Sequence, residues 1–294
     1  MLIGICGGIC AGKHAIAEYL IREQGFELLQ LANKNPLPIT NELRDPARLE
    51  KSETKSLPSH KDETVFETVD SLLDFVTKRW TEHWVTTDIW DHTTLDRLLL
   101  RPFFLLVSVD APVSLRWQRF RDRCSRQQLD PPDLEKFVMW NDRHLYDREI
   151  GRAYLTDRAQ VRLFNASSSL EELHAALKRL DLSNDERLRP TWDQYFMQLA
   201  SLAAQRSNCM KRRVGCVIVR DRRVISTGYN GTPRNITNCN EGGFKIAQVG
   251  ISEVVYSKGY NMDKESAEIL SAAGIHLRQF SPVRSNERYV ANPR

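Results

Sequence analysis

RSNCMKRRVGCVIVRDRRVISTGYNGTPRNITNCNEGG, running from Arg206 to Gly243, decides how the rest of the chain is read. Val214, Cys216 and Ile218, with the flanking Val217 and Val219, make a β-branched run with no helical stripe, so a strand is expected. Asp221-Arg222-Arg223 is the turn. Val224-Ile225-Ser226-Thr227 opens a second strand, and Gly228-Tyr229-Asn230-Gly231 ends it. Glycines on both sides of Tyr229-Asn230 permit a sharp turn and a close approach of backbone to ligand. Asn230 offers a donor and an acceptor there, which suits a sugar hydroxyl or a base edge. The same residues also make an ordinary β-hairpin with a Gly-Asn-Gly exit. Cys216 inside the apolar strand is expected to be a buried core thiol. Cys209 reads as helix-end packing. Cys239 could ligate a metal in a complete protein, but is not expected to do so here. Glu241 has no His at a useful spacing before it and receives no proton-shuttle role.

Working outward, Thr191 to Ala204 places Trp192, Tyr195, Phe196, Leu199, Leu202 and Ala203 at helical spacing, and they are expected in a core. Downstream, Ile251 to Tyr256 reads as a parallel strand, Asp263 to Ala273 as a helix stopped by Gly274, and Ile275 to Phe280 as a strand. Residues 282–294 are expected to be disordered. Upstream, Asp181 to Pro190 is polar and ends in proline, which puts a linker at 183–189 and a domain over 190–281.

The chain has 294 residues, enough for two domains, with 41% hydrophobic and 27% charged residues, ordinary for a globular protein. No apolar run is long enough to span a bilayer. Met1 to Cys6 is apolar but lacks a basic leader or cleavage site, so it reads as a strand and not a signal peptide. Six scattered cysteines point to reduced thiols and a cytoplasmic setting. Residues 184–294 carry 17 Lys+Arg against 10 Asp+Glu, or +7, and the remainder is −3. A basic C-terminal part suits an anionic ligand such as a nucleotide, but a solvated charged face explains it as well. Basic residues 211–213 and 220–223 lack interleaved aromatics, which argues against a nucleic-acid surface.

At the other end, a short buried strand over residues 2–6 runs directly into Gly7-Gly8-Ile9-Cys10-Ala11-Gly12-Lys13, followed by helical composition from Ala15 to Ile21. Strand, G-x-x-x-x-G-K and helix together are what a phosphate-binding loop requires. Backbone amides and the helix N-terminus can surround a phosphate, and Lys13 would reach its terminal oxygens. Gly7, Gly12 and Lys13 are the candidate phosphate residues. The next position wants a hydroxyl for magnesium but holds His14, and imidazole is a poor ligand for that ion. Phosphate binding is therefore expected, with phosphoryl transfer weak or lost; a glycine-rich turn that binds nothing is the alternative. Residues 33–63 are rich in Pro, Ser, Lys and Glu and are expected to form a mobile insertion. Val65 to Thr77 resumes helical spacing, and Trp84 to Ile89 reads as a strand whose Asp88 is a magnesium-site carboxylate or a strand-end cap. Residues 101–112 make a buried strand ending in Asp110. Arg116, Arg119, Arg121 and Arg123 follow on a helix, either as phosphate clamps or as a solvated face. In the helix over 131–148, Phe137, Met139, Trp140 and Leu145 are expected in the core, with His144 a packing histidine.

Two resemblances organise these observations. MLIGICGGICAGKHAIAEYL is similar to dephospho-coenzyme A kinases and other small P-loop kinases. Arg189 to Gly243, with its R-S-x-C-x-R-R-x-V-G segment and G-Y-N-G-x-P turn, resembles the opening of a deoxycytidylate deaminase domain. The resemblance implies an α/β chain: a P-loop kinase-like parallel sheet with helices over 1–182, and a truncated cytidine deaminase-like α/β/α domain. It implies hydrolytic, Zn2+-dependent conversion of dCMP to dUMP, regulation by dCTP and dTTP through the G-Y-N-G region, and homo-oligomers. Asn230 and Gly231 would contact nucleotide, with Arg212 or Arg213 near its phosphate. Zinc deaminases of this kind carry H-x-E and P-C-x-x-C, whose His and two Cys hold zinc. Neither motif occurs here, and His276 is the only histidine after residue 184. The segment bearing them would lie between Gly243 and Phe244. The chain thus reads as a deaminase with its catalytic centre excised, as in a splice variant or a faulty gene assembly. Catalysis is not expected. The alternatives are a non-catalytic nucleotide-binding or regulatory subunit, associating with full-length deaminase, and a small P-loop nucleotide or coenzyme kinase.

Overall fold

The run Leu2–Gly7 is buried almost from end to end, the pattern of a strand covered on both faces. The computed structural model describes residues 1–32, 64–148, 151–167, 169–209, 212–230, 252–257, 267, 270–271, 274–280 and 289–291. The chain divides into two compact units, Met1–Leu188 with Ser285–Arg294, and Arg189–Arg284.

In the first unit the described chain runs β1 (Leu2–Gly7), α1 (Lys13–Gln24), β2 (Glu27–Leu28), β3 (Gln30–Leu31), β4 (Val65–Phe66), α2 (Val69–Lys78), β5 (Trp84–Thr86) and α3 (His92–Leu99). It continues through β6 (Phe104–Asp110), α4 (Val113–Arg126), α5 (Leu134–Tyr146), α6 (Ala153–Asp157), β7 (Val161–Asn165) and α7 (Leu170–Leu180). Strands β2, β5, β1, β6 and β7 lie side by side in that order, all parallel. Alternation along β1 sorts the core into two layers. Ile3 and Ile5 pack with Ile16 and Leu20 of α1 and Leu173 and Leu177 of α7. Leu2 and Cys6 pack on the other face with Leu72 and Leu73 of α2 and Leu95 and Leu98 of α3. The chain fills one side of β1 with β2 and β5, then crosses to place β6 and β7 on the other side. The direction of winding therefore changes at β1, and the crevice beyond its C-terminal end is where open parallel sheets bind ligands.

Several sequence expectations shift here. The helix expected from Val65 begins at Val69, because Thr68 and Ser71 form a capping box that fixes its start. The strand expected over 84–89 stops at Thr86, and Asp88 turns to accept the Leu31 amide. In α5, Phe137 is fully buried but Met139 is exposed, since it points away from the face that meets α4. The tail expected to be disordered contributes β12 (Tyr289–Ala291), which pairs parallel with β7 and becomes the sixth strand of the sheet. Parallel addition leaves β7 with a neighbour on both sides. The insertion at 33–63 lies outside the described residues.

The second unit contains α8 (Trp192–Ala204), β8 (Gly215–Arg220), β9 (Arg223–Tyr229), β10 (Glu253–Tyr256) and β11 (His276–Gln279). Thr191 and Gln194 cap α8 reciprocally. Strands β8 and β9 form an antiparallel hairpin over Asp221-Arg222, both at positive φ, the geometry that matches strand twist in a two-residue turn. Arg223 is thus the first residue of β9 and not part of the turn. Strands β10 and β11 form a separate parallel pair. The expected core of this unit is largely solvent-facing. Trp192 is 45% exposed and Leu202 60%. Cys216, expected as a buried thiol, is exposed. Among the described residues of the unit only Ser207 and Ile275 are buried. The physical reason is that α8 is apolar on two sides and the hairpin covers one of them. The expected helix over 263–273 falls mostly outside the described residues. No described helix is long and apolar enough to cross a membrane.

Candidate functional site

The loop after β1 sits at the crevice. Gly7 has φ 150°, and a Cβ there would lie 2.0 Å from the Val109 carbonyl oxygen, so only glycine lets β1 pass β6 at this point. Gly12 has φ 115° and begins α1, and a Cβ there would meet Asn165 Nδ2 at 2.6 Å. Between them Ile9 and Cys10 turn down into a small cluster with Phe120, Cys124 and Phe137. The loop is therefore anchored by its own side chains under α4 and α5, leaving its backbone to shape the bend.

Cationic groups surround that bend. Lys13 is 7% exposed, and its Nζ donates to the carbonyls of Gly7 (3.1 Å) and Gly8 (2.9 Å). Arg119 donates through Nη1 to the carbonyls of Cys10 and Ala11, both at 3.4 Å, and through Nη2 to Ser167 at 2.9 Å. Arg116 is buried; its Nε donates to the Ala111 carbonyl and its Nη1 to Asn141 Oδ1, with Asp110 3.8 Å away. Burial holds both guanidinium groups below the ordinary arginine value, with Asp110 opposing this at Arg116. Arginine stays cationic all the same. Of the four arginines singled out on α4, these two reach the loop, while Arg121 lies over the Trp117 ring. Burial pushes the Cys6 thiol up to about 12, so at neutral pH it is no nucleophile. His14 is half-buried at the position where a hydroxyl would hold magnesium. Asp88 is buried, with Oδ2 accepting from the Leu31 amide at 3.0 Å, which places it as a strand-end cap.

Asn165 escaped the sequence reading. Its Nδ2 donates to the Ala11 carbonyl at 3.0 Å, bracing the loop from the end of β7. No motif marks it, because its role follows from the register of β7 on β6 and not from local spacing.

The second candidate is the turn at Asn230. Its Oδ1 accepts from the Val214 amide (2.8 Å) and the Ser207 hydroxyl (2.7 Å), and its Nδ2 donates to the Arg212 carbonyl (2.8 Å). The Ser207 hydroxyl also lies 2.6 Å from the Asn230 carbonyl oxygen. The side chain thus staples the segment after α8 to the end of β9. Arg212 and Arg213 are exposed beside it. Gly231, Cys239, Glu241 and the Gly243–Phe244 junction lie outside the described residues. Ser207 was not singled out from the sequence; its partner stands 23 residues away.

Among the described residues the donor set does not fit a zinc centre. In the second unit His276 on β11 faces Glu253 at 3.6 Å, while Cys216 lies on β8 and Cys209 in the segment after α8. Among the described residues no three His, Cys, Asp or Glu side chains converge as metal ligands would.

Known proteins give this architecture its context. Residues 190–279 match the family model described as the cytidine and deoxycytidylate deaminase zinc-binding region. The chain is 37% identical to the deoxycytidylate deaminase of Schizosaccharomyces pombe, covering 95% of this chain and 97% of that protein. It is 33% identical to the deoxycytidylate deaminase of Saccharomyces cerevisiae, with 96% and 97% covered. The mouse enzyme of the same name matches at 24% over 31% of this chain and 80% of its own. Two of the alignments also contain positions that this chain does not fill. The S. pombe alignment runs over 332 positions but uses 95% of 294 residues, about 279, so about 53 positions face no residue here. The mouse alignment runs over 143 positions and uses 31%, about 91 residues, leaving about 52 unmatched. With two yeast relatives matched along nearly their whole length, this chain belongs to the deoxycytidylate deaminase family.

Proposed function

We propose that this chain is a catalytically silent member of its family, retaining nucleotide binding without deamination. The observation that carries this reading is the absence of H-x-E and P-C-x-x-C from the sequence, in line with about 53 positions of the S. pombe alignment that face no residue here. Hydrolytic deamination at C4 of cytosine needs an activated water and a carboxylate that passes a proton to the leaving ammonia. None of the described residues of the second unit is placed to supply either function, and no step is assigned to them.

Two nucleotide contacts remain. Gly7, Gly12 and Lys13 are proposed to hold a nucleotide phosphate at the sheet crevice, with Arg119 adding positive charge. His14 in place of a hydroxyl makes this a binding site and not a kinase site. At the other turn, Arg212 and Arg213 are proposed to meet the phosphate of dCMP, dCTP or dTTP, with Gly231 allowing close approach. Asn230 supports them through its bond to the Arg212 carbonyl. A regulatory subunit that joins complete deaminase protomers in the cytoplasm is the role consistent with these features.

The test is a dCMP assay on the purified chain with zinc supplied, read as dUMP formed, beside equilibrium dialysis with labelled dCTP and ATP. No dUMP above a metal-stripped control is expected, with triphosphate binding weakened at least tenfold in Lys13→Ala. Sustained dUMP formation would overturn the reading of a silent chain, and ATP hydrolysis would favour a kinase.

A further inference from the structure

We infer that the second unit carries an open apolar seat for a separate polypeptide, namely a segment of about fifty residues like the one its relatives possess and it lacks. The inference rests on the family assignment above. Helix α8 presents apolar residues on two sides. One side meets β8 so closely that a Cβ at Gly215 would lie 2.0 Å from the Ala200 carbonyl and 2.5 Å from the Ala204 nitrogen. The other side carries Trp192, Tyr195 and Leu202 at helical spacing, and all three are exposed, with only the Arg222 guanidinium of the hairpin turn, 5.8 Å from the Trp192 ring centre, reaching round to it among the described residues. A helix that is apolar around most of its circumference is stable only when buried.

The strands repeat the pattern. Along β8, Gly215, Val217 and Val219 alternate with Cys216 and Ile218, so both faces of the hairpin are apolar while α8 packs near Gly215. Ile218 and Ile225 are exposed. Among the described residues β8–β9 and β10–β11 are separate two-stranded pairs with no third strand. Two strands alone are marginal in water, and parallel pairs in particular need cover on both faces. Yet one family model spans both pairs, from 190 to 279, so they are parts of one domain. The mouse alignment, confined to about 91 residues here, holds about 52 unmatched positions. That is long enough for a helix and one or two strands. The occupant is therefore apolar on one face and strand-forming, able to extend the two pairs while covering Trp192, Tyr195 and Leu202.

The experiment mixes the full chain with an isolated polypeptide comprising the unmatched stretch of the S. pombe protein and follows amide hydrogen exchange. Amides of 192–204 and 215–229 should slow at least tenfold, saturating at one segment per chain, with β1 and β6 unchanged as the internal control. Leu202→Asp should weaken the binding tenfold or more while leaving exchange in β1 and β6 as it was. Three results would overturn the inference: no slowing at saturating segment, equal slowing by a scrambled segment, or slowing that depends only on chain concentration. The last would make a second copy of this chain the occupant. Exchange is read without any deamination, so dUMP formed by the chain alone would sink the silent-chain reading and leave this test standing.

Discussion

Asn230 shows how one side chain that is conspicuous in a sequence can carry a structural task beside the one read there. Between two glycines at a strand end it reads as a ligand contact, since its amide offers both a donor and an acceptor. In the fold both atoms are engaged with Val214, Ser207 and Arg212. The side chain therefore acts on the loop that carries Arg212 and Arg213. Asn230→Ala removes an acceptor from the Val214 amide and a donor from the Arg212 carbonyl, while the Ser207 hydroxyl, losing Oδ1, keeps the main-chain oxygen of residue 230. Both bonds lie near solvent, where water replaces part of what is lost, so the cost is about 1–2 kcal/mol. Since about 1.4 kcal/mol corresponds to a tenfold change in equilibrium, Val214 amide exchange should quicken about tenfold or somewhat more. Unchanged exchange with lost dCTP binding would instead make Asn230 a direct ligand contact.

At the scale of elements, glycine decides where two pieces can touch. Gly215 brings β8 against the backbone of α8 at Ala200 and Ala204. Gly215→Val would push the helix away from the hairpin, because the nearest atoms are main chain and cannot rotate aside. The expected outcome is a loss of ellipticity at 222 nm and faster exchange throughout 192–204, with β1 and α1 unaffected. Retention of both signals would show that α8 does not depend on the hairpin. The same scale explains what the sequence disclosed. The strand, loop and helix from Leu2 to Gln24 could be read because their signals are local: a buried run, glycines at fixed offsets, and helical spacing after Lys13. The hairpin was legible for the same reason. Asn165 and Ser207 were not, since Asn165 is placed by the register of β7 on β6 and Ser207 by how the segment after α8 meets the end of the hairpin, neither of which is a local spacing. The exposure of Trp192 and Cys216 was hidden too, because periodicity shows which faces are apolar and not whether anything covers them.

Across the whole molecule, the chain returns to its first unit at the end. Residues 285–294 belong with Met1–Leu188, although 189–284 intervene, and β12 pairs Tyr289 with Leu163, Val290 with Phe164 and Ala291 with Asn165. This pairing covers an edge of β7 that would otherwise offer unpaired amides and carbonyls to other chains. It also borders Asn165, whose amide braces Ala11 in the phosphate loop. Truncation after Arg284 would remove the strand and a few net hydrogen bonds, about 1–2 kcal/mol in sum. For a unit of this size each kcal/mol moves the melting temperature by about 2–4 °C. Calorimetry should therefore show the transition of the first unit lowered by roughly 2–8 °C, on the same scale. The truncated chain should also self-associate more readily through the uncovered edge of β7. Exchange in the second unit would stay as it was, because the residues removed belong to the first. An unchanged melting temperature would mean that β7 is a sufficient edge by itself and that the final strand adds nothing to the sheet.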